Sequence, residues 1–180
     1  MPAEKTQTSL RTLVTVLTAF VAFLSTLSTV MMNRSLNRSL LFKNQESILQ
    51  TEITDQWNFF QSRNLRIEIS EVLEAMPGTS NKLSNDKKLK KEEWIKKRDE
   101  LYETAKNLEK QKQGLSEKSR FFYRISGVFV YAVALLQFSI LLLPIVILYE
   151  SKPLMIFSGT ISGLGLIFAL YGIIQFLKMI

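Results

Sequence analysis

The chain has no cysteine and no histidine. This absence excludes disulfide bridges, zinc sites of the Cys/His type, cysteine nucleophiles and Ser-His-Asp triads. It also excludes haem held through either side chain, and no EF-hand spacing offers a Ca²⁺ loop. The sequence therefore predicts no catalytic residue, no cofactor-binding residue and no metal ligand. We expect a protein that is not an enzyme.

Proline and glycine are scarce, and their positions divide the chain. Neither residue type occurs in the 74 residues before Pro77. Pro77 removes a backbone donor, Gly78 tolerates positive φ, and the Ser and Asn residues that follow favour a turn, predicted at 76–81. On either side lie arms of 44 and 43 residues, Asn33–Met76 and Lys82–Arg124. Arms of matched length predict a long antiparallel helical hairpin.

Three runs contain no charged residue, and they are 20, 25 and 24 residues long. A helix of 20 residues is about 30 Å long and can span a bilayer. A cleavable signal peptide is the alternative for the first run, but we expect a retained span. The predicted segments are a polar N-terminus 1–12, transmembrane helices 13–32, 125–149 and 154–177, the hairpin 33–124 and a short loop 150–153. The predicted fold class is an all-α membrane protein with three transmembrane helices and a coiled-coil hairpin between the first and second.

Basic residues outnumber acidic ones by 23 to 16, and the middle segment carries most of the excess. Such an excess near a membrane favours contact with anionic lipid heads. Nucleic acid is not expected as a partner, because the lysines alternate with acidic residues and no recognition motif accompanies them. Basic residues flanking the spans predict a cytoplasmic hairpin and C-terminus, with the N-terminus and the loop 150–153 external.

The apolar residues of the second arm predict how the two arms pack together. The second arm repeats them every seven residues, at Trp94, Leu101, Leu108, Leu115 and Phe122. Such spacing predicts a narrow seam against one partner helix. Folding the arms together predicts Trp57 near Leu101 and Tyr102, Phe60 near Arg98, and Leu65 near Trp94.

Small and polar residues mark the spans as packing helices. In the first span Thr15, Thr18, Ala22, Ser25 and Thr29 form one weakly polar stripe, which favours helix packing over a pore lining. Gln137 is the one strongly polar interior residue of the second span, and we expect it to bond another helix. The third span contains Gly159-x-x-x-Gly163 and Gly165-x-x-x-Ala169, which predict close helix contact within or between subunits.

The run Thr54-Asp55-Gln56-Trp57-Asn58-Phe59-Phe60-Gln61-Ser62-Arg63 resembles the signature of domain-of-unknown-function family 4337. Members of that family show Ser/Thr-Asp-Gln-Trp-x-Tyr-Tyr-Gln-Ala-Lys after a first span. Here two phenylalanines replace the tyrosines, and Ser-Arg replaces Ala-Lys. The step Gln137-Phe138 and the glycines of the last span are also similar. The resemblance implies a bacterial inner-membrane protein and brings no known activity or catalytic residue.

Two interpretations of Asp55-Gln56-Trp57 remain open. Trp57 and Phe60 pack on the second arm while Asp55 and Gln56 bond across it or at an oligomer contact, or the run docks another protein through aromatic anchors. The candidate interaction and packing residues are Asp55, Gln56, Trp57, Phe60, Gln61, Trp94, Leu101, Tyr102, Gln137, Gly159, Gly163 and Gly165.

The leading hypothesis is a membrane-anchored, oligomeric coiled-coil scaffold or an accessory subunit of a larger membrane assembly. Its expected partners are the lipid bilayer and, in addition, further copies of the chain, other membrane protein subunits, or both. The alternative is an ion channel or transporter subunit with a cytoplasmic coiled-coil stalk, in which Glu150 stands at a pore mouth. No charged residue inside the spans supports that alternative.

Overall fold

The computed structural model describes the backbone of residues 2–76, 84–149 and 151–179, and side chains from Arg11 and, after the gap, from Lys90. Within these ranges the chain forms three α-helices and no strand: α1 is Pro2–Ala75, α2 is Ser84–Tyr149 and α3 is Lys152–Leu177. The predicted all-α class is thereby confirmed. Of the predicted turn, only Met76 is described; the rest, and Glu150, lie outside the described residues.

Each helix contains a stretch that is long and apolar enough to cross a membrane. These stretches contain the uncharged runs that the sequence predicted as spans, and they indicate association with a membrane. Hydroxyl groups inside the first stretch bond back to the preceding turn, as where Thr18 donates to Val14 O at 2.7 Å and Thr29 to Ser25 O at 2.9 Å. Such bonds keep a hydroxyl satisfied where no water reaches it.

Proline lies in the first turn of α1 and of α3 and in the interior of α2. The first helix begins at Pro2, where a missing N–H costs no helical bond. The third helix follows Ser151, whose extended backbone (φ −87°, ψ 108°) precedes a proline in the first turn. Pro144 lies inside α2, which continues through it to Tyr149.

The chain divides into two compact units, and α1 and α2 contribute residues to both. Unit 1 comprises Met1–Leu41 and Ser119–Ile180, and unit 2 comprises Phe42–Lys118. Unit 1 contains the three uncharged runs, whereas unit 2 contains most of the charged residues and both tryptophans.

In unit 1, α2 supplies most of the large buried side chains. Phe129, Leu136 and Leu143 are each fully buried. The buried positions of α1 are Val14, Val21, Ser25, Ser28, Ser35 and Ser39, and those of α3 are Ser158, Gly165, Ala169, Gly172 and Phe176. Of the stripe predicted in the first span, only Ser25 is fully buried, because the packed face is rotated toward Val21 and Ser28.

In unit 2, few residues are fully buried. Ile53, Ile67 and Ala105 form the apolar part of its interior. Leu65, which the sequence predicted near Trp94, is 57% exposed. The buried residue at this level of α1 is Ile67, two positions further along the helix.

Candidate interaction sites

An aromatic cluster joins α1 and α2 in unit 2. The ring of Trp57 meets Phe60 edge-on at 5.4 Å between centroids and Tyr102 at 5.8 Å, and Phe60 lies 6.0 Å from Tyr102. Edge-to-face pairs at such distances are worth about 0.5–1.5 kcal/mol beyond the area that they bury. The indole Nε1 of Trp57 also donates to Glu109 Oε1 at 3.1 Å. Trp57 thus has both an apolar and a polar anchor on α2.

The other predicted residues of unit 2 differ in their exposure. Asp55 and Gln61 are exposed, whereas Trp94 and Leu101 are half-buried. Gln56 is half-buried as well, and its Oε1 is buried without a hydrogen-bond partner among the described residues. The signature run therefore separates into an inward side, with Trp57 and Gln56, and an outward side.

Polar contacts join the same two helices on either side of the aromatic cluster. Lys112 donates to Gln50, and Lys91 lies 3.2 Å from Glu71 and 3.4 Å from Glu74. The hydrogen bond from Lys91 to Glu71 raises the pKa of this lysine above its ordinary value of 10.5, and Glu74 adds to the effect. A raised lysine pKa stabilises the folded state below pH 10.5, and this contribution is lost as the pH rises through the folded pKa.

Replacing Trp57 with alanine is expected to lower the melting temperature of unit 2 while membrane insertion is unchanged. The substitution removes two ring contacts and one hydrogen bond from a half-buried site, with a cost of about 2 kcal/mol. Thermal unfolding followed by far-ultraviolet circular dichroism measures the change. Phe59→Ala is the matched control, because Phe59 lies on the same turn but is 60% exposed. Equal melting temperatures for the two variants would contradict the packing role of Trp57.

Two reciprocal serine pairs join the helices of unit 1. Ser39 Oγ donates to Ser119 O at 2.9 Å, and Ser119 Oγ donates to Ser39 O at 3.0 Å. In the same way Ser139 Oγ donates to Ser158 O at 3.0 Å, and Ser158 Oγ to Ser139 O at 3.3 Å. All four serines are buried. The first pair joins α1 to α2 and the second joins α2 to α3, so both of these contacts in unit 1 contain a reciprocal serine pair.

The glycines of α3 fall into a packed set and an open set. A Cβ on Gly165 would lie 2.9 Å from Leu136 Cγ, and one on Gly172 would lie 2.8 Å from Phe129 Cζ. A Cβ on Gly159 or Gly163 would meet no atom within 4 Å. The glycines that let α3 approach α2 are therefore Gly165 and Gly172, whereas the predicted pair Gly159 and Gly163 is exposed.

Sequence reasoning missed Ser158 and Gly172 as packing residues. Both lie seven positions from Gly165, so a heptad of small residues runs along the buried face of α3. This repeat is visible in the sequence and predicts the packed face of α3. The pattern Gly159-x-x-x-Gly163 is equally regular, however, and predicts a different face. Gln137, expected to bond another helix, is exposed and has no hydrogen-bond partner among the residues described.

One arginine lies among the aromatic rings of unit 1. Arg38 Cζ is 5.5 Å from the centroid of Phe122 and 5.0 Å from that of Phe176. The two rings themselves meet edge-on at 5.8 Å. Cation–π contacts at such distances are worth about 0.5–2 kcal/mol. They bring side chains of α1, α2 and α3 together at one point.

Groups suited to chemistry are sparse on the described helices. Their Asp and Glu side chains form no cluster of three that could hold a metal ion. A shallow depression on α2 is lined from Glu92 to Glu103 by side chains of that one helix only. A surface of this kind has no opposite wall to enclose a substrate.

The fold and these contacts define an all-α protein with three candidate membrane spans and helices joined by aromatic, serine and glycine contacts. The chain belongs to the family described as domain of unknown function DUF4337, whose family model matches residues 10–175. The family expected from the sequence is thereby confirmed. Comparison with curated proteins gives no match, and comparison with solved structures gives none either.

Proposed function

We propose that this protein is a membrane-anchored, oligomeric coiled-coil scaffold or an accessory subunit of a larger membrane assembly, without a catalytic role. The observation that carries the proposal is the polar and small surface that a single chain leaves open on its spans. Gln137 is exposed in the middle of an uncharged run, and Gly159 and Gly163 are exposed on α3.

An amide without a partner is costly in hydrocarbon, and exposed glycines offer a smooth surface for another helix. Both features become favourable when a second helix covers them. Further copies of the same chain carry the same amide, which can act as donor and acceptor at once. A homo-oligomer is therefore the simplest assembly that satisfies Gln137.

The region 33–124 is proposed to be an antiparallel helical hairpin. The order of the contacts supports this arrangement. Along α1, the residues Gln50, Trp57 and Glu71 contact residues of α2 with falling numbers, Lys112, Tyr102 and Lys91. A helix pair of this kind presents long exposed faces, which suits a protein that holds others in place.

The proposed location is the bacterial inner membrane, with the hairpin and the C-terminus in the cytoplasm and the N-terminus outside. The distribution of basic residues supports this orientation. Arg34 and Arg38 follow the first run and Arg120 and Arg124 precede the second, whereas the opposite ends carry fewer basic residues. Such an excess marks the cytoplasmic side of membrane proteins.

The test is the mass of the gently solubilised protein. The wild type is expected to migrate as a defined oligomer. The double variant Gln137→Leu/Gly163→Leu is expected to dissociate into monomers at a protein concentration roughly tenfold higher than the wild type, because contacts of this kind contribute about 1–2 kcal/mol in membranes. Multi-angle light scattering on a dilution series measures the shift. Gln113→Leu with Gly114→Leu is the matched control, because both residues are exposed and lie in unit 2. A monomeric wild type would contradict the proposal.

The second candidate is a channel or transporter subunit, and Gln137 is the observation that favours it. An exposed amide on an otherwise apolar span could line a water-filled path between copies. Ion flux into liposomes separates the two functions. A scaffold gives no flux above that of empty liposomes, whereas a channel gives a flux that Gln137→Leu abolishes.

A further inference from the structure

Arg38 is half-buried and has no anionic partner within the described part of the chain. Its guanidinium lies over Phe122 and Phe176. Neither a hydrogen bond nor an ion pair joins it to any residue that the structure describes, including the carboxylates. A guanidinium has five N–H donors and no acceptor. Among the residues that the structure describes, none accepts from these five donors.

The ring contacts leave these donors available. A ring attracts a guanidinium through the charge on its face, and this attraction needs no conventional hydrogen-bond acceptor. The planar fork matches two oxygens of a phosphate or a carboxylate. The two rings therefore hold Arg38 in place without using its hydrogen-bonding edge.

The surroundings of Arg38 are basic. Arg34 lies one turn before it on α1, on the same side of that helix. Arg120 and Arg124 lie two residues on either side of Phe122, on the opposite face of α2, and Lys178 lies two residues after Phe176, so these three add positive charge at this end of the helices rather than contacts with Arg38. All four are exposed. In contrast, the ranges 11–41, 119–149 and 151–179 contain no Asp or Glu. Within these ranges, therefore, basic side chains have no acidic side chain to neutralise them, and this end of unit 1 attracts an anion.

The position identifies the source of that anion. Arg38 lies six residues beyond the uncharged run 13–32, about 9 Å along a helix, and Phe176 lies at the end of the run 154–177. Charged lipid headgroups lie immediately outside the hydrocarbon region of a bilayer. Basic pockets between transmembrane helices at this level bind anionic headgroups.

We propose that Arg38, with Arg34 one turn away on the same helix, binds the phosphate of an anionic phospholipid at this end of unit 1, where Arg120, Arg124 and Lys178 add positive charge. The guanidinium edge donates to the phosphate oxygens, and the exposed basic residues attract the negatively charged headgroup. The acyl chains lie against the apolar surface of the spans. The inference requires membrane insertion and does not depend on whether the protein is a scaffold.

Native mass spectrometry of the full chain in neutral detergent tests the proposal. Phosphatidylglycerol and phosphatidylcholine with equal acyl chains are the probes. We expect phosphatidylglycerol to bind at least fivefold more tightly, and Arg38→Gln to weaken it by roughly fivefold, the effect of one basic residue near the surface. Arg38→Lys keeps the charge but not the fork and is expected to give an intermediate loss. Lys152→Gln, the same charge change outside the basic group, is the matched control.

Several results would overturn the proposal. Equal binding of the two lipids would do so, as would equal losses for Arg38→Gln and Lys152→Gln. Inorganic phosphate at the same concentration is expected not to displace the bound lipid; displacement would identify free phosphate as the ligand instead. If Arg38→Gln fails to fold, Arg34→Gln takes its place, since Arg34 is exposed and lies one turn from Arg38 on the same helix. Wild-type affinity in that variant would then refute the site.

The same spectra report the oligomeric mass. If Arg38→Gln loses phosphatidylglycerol while its oligomeric mass is unchanged, the lipid site is supported and the proposed function is unaffected. A monomer that still prefers phosphatidylglycerol supports the lipid site and counts against the oligomeric scaffold. The two proposals therefore fail separately.

Discussion

Leucine in place of Gly165 is expected to destabilise unit 1 strongly. A Cβ at this position would lie 2.9 Å from Leu136 Cγ, 3.1 Å from Leu136 Cδ2 and 3.3 Å from the backbone oxygen of Ala132. Leu136 is fully buried and has little space into which to move, and the backbone oxygen cannot rotate away. Overpacking costs about 1–3 kcal/mol, and we expect the upper end because leucine adds three further carbons.

A loss of this size lowers the melting temperature by roughly 6–12 °C for a chain of this length. Size-exclusion chromatography of the detergent-solubilised protein after heating measures the fraction that remains folded. Gly163→Leu is the matched control, since a Cβ there meets no atom within 4 Å. Its stability is expected to be unchanged or higher, because leucine favours helix over glycine. Equal melting temperatures for the two variants would contradict the α2–α3 packing.

Substitutions at Gly163 and Gly165 also distinguish an effect on folding from an effect on oligomer formation. Under the proposed function, Gly163→Leu weakens the oligomer without changing the fold of the single chain. Gly165→Leu acts on the fold first. A variant set in which Gly165→Leu leaves the melting temperature unchanged but dissociates the oligomer would assign Gly165 to the subunit interface instead.

Glutamate in place of Ala105 is expected to unfold unit 2 while unit 1 remains folded. Ala105 is 0% exposed and follows Tyr102 of the aromatic cluster by one turn. A carboxylate at this position would lose its hydration without gaining a counter-ion. An uncompensated buried charge costs on the order of 3–5 kcal/mol, more than a small unit with few fully buried residues can offset.

Tryptophan fluorescence during chemical unfolding measures this effect in unit 2 alone, because both tryptophans of the chain, Trp57 and Trp94, lie there. Thr104→Glu is the matched control. Thr104 is exposed, and its hydroxyl donates only to Glu100 O on its own helix, so a change within about 0.5 kcal/mol is expected. If Ala105→Glu unfolded at the same denaturant concentration as Thr104→Glu, Ala105 would not lie in a packed interior.

Much of the class of this protein could be predicted from the sequence. An uncharged run of 20 residues or more has essentially one way to satisfy its backbone in lipid, which is to form a helix. The scarcity of glycine and proline likewise predicts long helices, such as α1 from Pro2 to Ala75. The family was recognisable because the run at Trp57 combines several specific residue types in a fixed order.

The side of each helix that packs was less predictable. Leu65 and Ile67 are equally apolar, yet Leu65 is 57% exposed and Ile67 is 5% exposed. Two positions along a helix lie about 200° apart around its axis, so these two residues lie on opposite sides of α1. A narrow apolar seam does not by itself determine which of the two sides packs. Only contacts with a neighbouring helix, such as Trp57 on Tyr102, select among them.

The sequence by itself determined an all-α chain with three apolar runs long enough to cross a membrane, because composition limits what a segment can become in lipid. Only the tertiary structure decided which small residues are packed, because Gly163 and Gly165 look alike until Leu136 lies against one of them. It also distinguished Arg38 from the other basic residues. That residue lies between Phe122 and Phe176, which are far apart in the chain and meet only when the helices pack.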